Sequence, residues 1–489
     1  MNRSNYFYDA KQVSRYVLWL LAMMAASYVT AGWVFILFIF ILIGAIGRKQ
    51  DELFLFIILA TTCFMLTNGN IVRKGIVFVA CTKMLLMVAS VCLVGQIFGR
   101  RHPVTLPPLL SIVPYLLFIA VSSQQGWSPT ISNLKLFLFS MIFFAYYGCS
   151  IKMIAELKGV VKFRSMILAT AIVYIFGSVL LIPFPSISYM SSEEMLLNPD
   201  AVSLFRGMSN HSQALGPLVS VFGILLFADL VFSVQRPDKL YVSLLMACPV
   251  LLYMTSSRTA MASFIAGIAF AIYCAMRHRG LNITWKRKVL SFITTLMFIV
   301  SVAVAIVPSI RDRIVKFTVK YGGDENVALS SDIIWKSRKD KLDSALYYWK
   351  QSPYIGNGFQ VSAEMSQLDI NDFKQILTAP VEKSTWTYAI LEEGGIIGMI
   401  LFVVFLLVTF CGFMARKAYI AVSLFFTFIL SNMGEFTIFS MSADGGIFWL
   451  LIFVGAVFDH IRNNANSAGA DFRNRFNYAV TNGPYRYLR

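Results

Sequence analysis

Apolar runs long enough to cross a bilayer recur along almost the whole chain, and that recurrence limits what it can fold into. A spanning helix needs about 20 mostly apolar residues, and in lipid the backbone N–H and C=O groups must be satisfied within the protein. Fourteen runs qualify, at about 13–30, 31–47, 53–69, 76–98, 106–123, 134–150, 166–185, 214–232, 240–256, 259–276, 289–308, 388–414, 418–437 and 444–461. The expected fold class is all-α, a polytopic integral membrane protein with about 12–14 transmembrane helices. The lower figure allows the first two runs to form one long tilted helix or a re-entrant hairpin. Composition agrees, with 57% hydrophobic and only 14% charged residues, where soluble domains carry roughly 25% charged. The same figures exclude disordered, collagen-like and coiled-coil chains. Met1 to Arg15 followed by an apolar run, with Ala25, Ala26 and Ser27 behind it, has the outline of a signal peptide. The second apolar run follows at once, so an uncleaved first span is expected.

The net charge of +17 gives no reason to expect a nucleic-acid partner, because membrane proteins concentrate Lys and Arg in cytoplasmic loops. If the segment 151–165, with Lys152, Lys158, Lys162 and Arg164, is cytoplasmic, strict alternation puts several other basic groups on the same side. These include Arg48 and Lys49, Arg100 and Arg101, Arg236 and Lys239, the cluster Arg277 to Lys288, and Arg416 and Lys417. Both termini fall inside as well. The opposite loops near 124–133 and 438–443 contain no Lys or Arg, and only Arg73 and Lys74 disagree.

The expected organisation is eleven spans in 1–308, an outer cap in 309–387, three spans in 388–461 and a basic cytoplasmic tail in 462–489. The segment 309–387 is too long for a bare connector. Ile333, Ile334, Leu342, Leu346 and Trp349 recur there at helical spacing, until SPYIGNGF (352–359) breaks the pattern with a proline and two glycines. A small helical cap is the expectation. The seven cysteines all lie in apolar runs without a CxxC pair and are expected to be small buried hydrophobes. The four histidines are too scattered for a metal site.

Three arginines fall in segments assigned to the outside: Arg206 in FRGMSNHSQALG, Arg258 in TSSRTA and Arg338 in WKSRKDKLDSALYYW. A buried arginine needs an anionic partner, and its planar fork suits phosphate. Ser256 to Thr259 also fall at a helix start, where free N–H groups favour an anion. The plainer reading is that these side chains snorkel to water or lipid headgroups. Among carboxylates, Glu382, beside Lys383, precedes a span, Glu392 and Glu393 lie at its mouth, and Glu435 sits near the outer end of the next one. A carboxylate at the edge of an apolar region holds its proton more tightly, which suits a general base. An ion pair for Glu382 and an interhelical hydrogen bond for Glu435 carry equal weight. His211 is open to three roles: base, glycan ligand, or hydrogen-bonder at a helix start. Outer aromatics such as Tyr347, Trp349, Tyr354 and Trp386 suit either interfacial anchoring or sugar stacking. No P-loop, GxSxG, HExxH or Rossmann fingerprint is present.

At these residues the chain resembles the bacterial O-antigen ligase and polymerase superfamily. RGMSNHSQALG (206–216) is similar to that family's Arg-Gly element and His-x-Asn, with Gln213 in place of Asn. SSRTAMASFIAG (256–267) is similar to its Ser-Arg-Thr helix start, and SRKDKLDSALYYWKQSPYIGNGFQ (337–360) to its Arg, helix, Pro, Gly-x-Gly-Phe element. LEEGGIIG (391–398) and SNMGEFTIFS (431–440) match later helices. One departure is plain: where ligase-like members carry a His-Asn pair, this chain has Ser384 and Thr385. APVEKS there looks like polysaccharide-polymerase-like members instead.

The resemblance implies a metal-independent, inverting glycosyltransferase of the bacterial inner membrane that needs no cofactor. Its donor would be a glycan on undecaprenyl diphosphate, its acceptor a glycan or a lipid, and its protein partners a chain-length regulator and a flippase. On that view Arg206, Arg258, Arg338 and Lys383 bind substrate. Glu382 is the first choice of base, with Glu435 and His211 in reserve. A polymerase of repeat units is expected, and a ligase is the alternative. A flippase suits the span count, but no internal repeat is evident and the long outer segment is out of character for one.

Overall fold

The computed structural model describes residues 8–47, 51–73, 81–82, 84–85, 87–88, 107–154, 157–189, 205–232, 239–277, 339–361, 385–434, 436–440 and 444–467. The expected span at 289–308, nearly all of that at 76–98, most of the cap and the last part of the tail lie outside these residues. Among the described residues the chain is helical, with no strand and two isolated bridges, Thr67 to Ser209 and Tyr189 to Phe205.

The first two apolar runs form separate helices, α1 (Ala10–Val29) and α2 (Val34–Gly47). The turn between them places Ala31 and Gly32 at positive φ, so one long tilted helix is not formed. α3 spans Asp51–Leu66. A 3-10 segment, Pro107–Ile112, leads into α4 (Val113–Ser122). α5 (Pro129–Ile154) and α6 (from Leu157) leave almost no loop between them. The basic stretch 151–165 is therefore largely helix, as its Lys- and Arg-rich composition permits. α6 runs Leu157–Ala171, passes through a π-helical turn at Ile172–Phe176 and ends with Gly177–Leu180. α7 (Ser212–Phe232), α8 (Lys239–Met254) and α9 (Arg258–Arg277) follow. Then come α10 (Lys339–Gln351), α11 (Trp386–Ala415), α12 (Tyr419–Ser431) and α13 (Asp444–Ser467). Five stretches in the described residues are long and apolar enough to cross a membrane: Pro108–Gln125, Val161–Leu180, Ser212–Phe232, Arg258–Arg277 and Trp386–Ala415. The chain is a multi-pass, all-α membrane protein.

α7 is the central helix, with all but two of its residues buried. It can be central because small residues let its neighbours approach. Gly216 lies against Ser257, and Gly223 against Phe264 and Cys248. Gly267 of α9 lies against Ile224 and Thr427 in the same way. α11 shows the opposite, peripheral pattern. Ile396, Ile400, Val404 and Leu407 are exposed at helical spacing, while Phe402, Phe405, Thr409 and Phe413 face inward. Cys411 falls on the exposed face, unlike Cys63, Cys81, Cys248 and Cys274, which are buried.

Polar anchors sort into two ends. At one, Arg164 pairs with Asp229 at 2.5 Å, Tyr241 donates to Asp229 at 3.2 Å, and the Arg164 guanidinium lies 4.3 Å from the centre of the Phe458 ring. Next to them Asp459 accepts from the N–H groups of Ile420 and Ala421 at 2.8 and 3.0 Å, capping α12 from another helix. All of these residues border loops assigned to the cytoplasm. The described loops assigned to the outside gather at the other end, joined by the bonds below. Arg73, the exception to the charge pattern, directly follows the turn that Ile71 and Val72 close onto the Asn68 carbonyl after α3, at that second end.

Candidate active site

Arg206 is buried, and two backbone carbonyls accept from it. Its N–H donates to the Ser188 carbonyl at 2.7 Å and its Nε–H to the Ile187 carbonyl at 3.4 Å. The Asn68 side-chain amide donates to Ile187 and to Gly207 at 2.7 and 3.2 Å, which ties the end of α3 to the same spot. Gly207 turns the chain at φ +49°, where a Cβ would strike Ser178.

His211 directly precedes α7. Its Nδ1 accepts from the Gln213 N–H at 3.1 Å, and its carbonyl accepts from Ala214 and Leu215. Of the three roles open from sequence, hydrogen bonding at a helix start is therefore realised. Any base role would have to run through Nε2.

One turn further along α7, the contact of Gly216 with Ser257 brings in the start of α9. Ser257 accepts from Met261 and precedes the helix, so Arg258 is its first residue, as the spacing predicts, and is half-buried. Its neighbour Thr259 packs against Gly434 at the end of α12, where no side chain would fit. Asn432 organises that end: its carbonyl accepts from Trp386 N–H at 3.2 Å, and its side-chain oxygen accepts from Thr437 N–H at 2.6 Å.

The third element is a helix interrupted on purpose. α11 leaves helical geometry at Gly395, with φ 60° and ψ −163°. The loop Pro353–Gly358 supplies the bonds lost there. Its Asn357 and Gly358 N–H groups donate to the carbonyls of Glu392 and Glu393 at 2.9 and 3.1 Å. In return the Ile396 and Ile397 N–H groups donate to Pro353 and Tyr354 at 2.9 and 3.2 Å. The Glu392 and Glu393 side chains are buried, not at a mouth open to water. The loop continues onto α4 and α5, where Ser132 accepts from Phe359 N–H at 2.6 Å and Ser122 donates to the Ile355 carbonyl. Gln360 then donates to Phe439 at 3.0 Å.

Arg206, His211 and Arg258 are thus carried on segments joined at one end of the bundle. Arg338, Glu382, Lys383 and Glu435 lie outside the described residues. Their described chain neighbours Lys339, Thr385 and Gly434 belong to elements of this same end. Sequence reasoning passed over Lys135, buried in α5, whose ammonium donates to the Gln360 carbonyl at 3.1 Å. A lysine inside an apolar run was the available signal. It also passed over Asn68, Asn357 and Asn432, whose roles as backbone joints leave no periodic trace.

A family model described as O-antigen ligase matches residues 241–403. That stretch is similar to the O-antigen ligase family. The match covers about a third of the chain and bears out the resemblance read from the sequence. No curated protein matches the chain. The matched stretch takes in nearly all of α8, Arg258, Arg338, α10, the Pro353–Gly358 loop, Glu382, Lys383 and the break in α11. Arg206 and His211 precede it, and Glu435 follows it.

Proposed function

We propose that the chain is a metal-independent inverting glycosyltransferase that polymerises repeat units carried on undecaprenyl diphosphate, at the outer face of the bacterial inner membrane, with both termini cytoplasmic. The observation that carries this reading is the gathering of three kinds of segment at the end assigned to the outside by loop charge. These are the Arg206–His211 segment, the Arg258 helix start, and the loop that mends α11. An acceptor hydroxyl attacks the anomeric carbon from the side opposite the carrier, and the bond to the diphosphate breaks with its electron pair leaving on the carrier. Arg258, Arg338 and Arg206 hold that diphosphate, with Lys383 assisting. Charge-assisted hydrogen bonds of this kind contribute about 1.5–3 kcal/mol each. The hydroxyl proton passes to a carboxylate, Glu382 first.

The description of the matched family favours a second reading, transfer of finished glycan to a lipid acceptor. Ser384 and Thr385, in place of the His-Asn pair, weigh against it. The glycans of a deletion strain separate the two. Loss of all polymer except a single repeat unit supports the polymerase. Full-length polymer still attached to its carrier supports the ligase and overturns the first reading.

A further inference from the structure

We infer that the π-helical turn in α6 is a positioning device for Arg206, and that Tyr174, carried on that turn, is a positioning residue for donor binding. This rests on the reading of Arg206 as a ligand of the donor diphosphate.

A π-helical turn adds a residue to the helical repeat, and such turns recur at functional sites. Here the extra residue lets Val173, Tyr174 and Ile175 all be buried in succession. Tyr174 points at the end of α3. Its hydroxyl donates to the Cys63 carbonyl at 2.5 Å and lies 2.5 Å from Thr67 Oγ1. Thr67 N–H bonds back to Phe64, one residue short of the α-helical partner, so the Cys63 carbonyl has lost its helical donor. The Thr67 hydroxyl, at 3.1 Å, and the Tyr174 hydroxyl together take that donor's place, and Tyr174, in contact with both groups, fixes where α3 ends.

What α3 does next depends on that ending. Thr67 bridges to Ser209, Asn68 N–H donates to Met208 at 2.8 Å, and Asn210 N–H donates to Leu66 at 2.7 Å. The 207–210 backbone is thereby clamped to the helix end that Tyr174 sets. The same helix also holds it directly, just past the π turn. Ser178 Oγ accepts from Met208 N–H at 3.0 Å, and a Cβ on Gly177 would come 2.9 Å from Met208 Cγ. Arg206 is the residue immediately before this doubly held stretch, so its guanidinium inherits the register that the π turn imposes.

The test uses the full-length protein in lipid nanodiscs with a synthetic polyprenyl-diphosphate-linked repeat unit as donor. Rate is measured against donor concentration for Tyr174→Phe, Ser178→Ala, Arg206→Ala and the double variants with Arg206→Ala. Tyr174→Phe should raise the half-saturating donor concentration about fivefold, in keeping with loss of one buried hydrogen bond. Maximal rate should stay unchanged, and the melting temperature should fall by no more than the loss of one buried hydrogen bond requires. Tyr174→Phe with Arg206→Ala should be no worse than Arg206→Ala alone, because the positioned group is already gone. Ser178→Ala should behave alike and carries the test if Tyr174→Phe fails to accumulate. Additive losses, or a lowered maximal rate with a lowered melting temperature, overturn the inference while leaving Arg206 a donor ligand. An Arg206→Ala protein with normal donor dependence sinks the underlying reading, and the inference with it.

Discussion

The backbone N–H of Asn357 donates to the carbonyl of Glu392 across 2.9 Å, and through this bond a loop takes the place of a missing helical turn. Asn357 also donates through its side chain to Tyr348, at the end of α10, and accepts from Trp127 N–H. One residue therefore joins α10, the break in α11 and the link between α4 and α5. The break has a function that an unbroken helix lacks: it holds α10, and with it the chain that follows Arg338, at a fixed place on the bundle.

That joint has little room for change. Gly395 and Gly356 lie at φ +60° and +76°, and a Cβ on either would collide with backbone of the facing segment, Tyr354 or Glu393. Gly395→Ala and Gly356→Ala should each cost about 1–3 kcal/mol from the backbone conformation alone, before the collision is counted. The melting temperature of the detergent-purified variants checks this. A variant that melts like the parent would mean the loop does not sit in the break.

Arg164 and Asp229 form a buried ion pair at the opposite end of the bundle, with side chains 6% and 10% exposed. Removing one partner leaves an uncompensated charge, so Asp229→Leu should destabilise by about 3–5 kcal/mol. The double change Arg164→Met with Asp229→Leu should recover most of that. Activity measured at equal folded protein should stay close to the parent's, since neither residue is near the candidate site. The readout is a double-mutant cycle on thermal stability, where strictly additive losses would argue against the pair.

The helical spans were legible because hydropathy reports burial in lipid and little else is needed to place a helix there. Arg258 at a helix start and the end of α10 before SPYIGNGF were legible because small polar residues, proline and glycine punctuate helices locally. The break in α11 was not. Glu392, Glu393, Gly394 and Gly395 sit inside a run whose mean hydropathy barely registers them, and the bonds that make the break affordable come from a loop about 40 residues earlier in the chain. The π turn at Ile172–Phe176 was equally hidden, since the contact its Tyr174 makes is with Cys63 of α3, 111 residues earlier in the chain. Of the candidate site, the residue types were legible but not their surroundings: Arg206 is held by the carbonyls of Ile187 and Ser188, and no spacing encodes that.

Sidedness can be checked at residues whose exposure is known. Tyr347 and Tyr354 are 63% and 67% exposed at the candidate-site end, and Lys417 is exposed at the other. In a Cys411→Ser background, Tyr347→Cys and Tyr354→Cys should react with a membrane-impermeant maleimide on spheroplasts. Lys417→Cys should react only after lysis. The reverse pattern would invert the orientation and remove the site from the outer face.

The identity of the base is the prediction with most at stake. On the proposed reading the attacking hydroxyl must lose its proton as the diphosphate leaves, and a positioned base contributes typically 10²–10⁴-fold. Ser384 and Thr385 stand where ligase-like members carry the His-Asn pair, and neither has a basic group to offer; Thr385 is buried at the start of α11, 3.1 Å from the Thr387 hydroxyl. His211 spends Nδ1 on the start of α7. Glu382 precedes Thr385 by three residues and follows Pro380, which restricts the local backbone. Glu435 follows Gly434, the residue pressed against Thr259 beside Arg258. Glu382→Gln keeps size and hydrogen bonding but cannot take the proton. It should lower polymer formation by about 10²–10⁴-fold while leaving donor binding intact. Glu435→Gln and His211→Gln should fall well short of that loss. Binding of the lipid-linked donor and the length distribution of polymer, measured on the same purified variants, decide the matter. Near-normal polymer from Glu382→Gln together with a collapse in Glu435→Gln would transfer the role to the carboxylate beside the α9 start, and would make Glu382 a partner of Lys383.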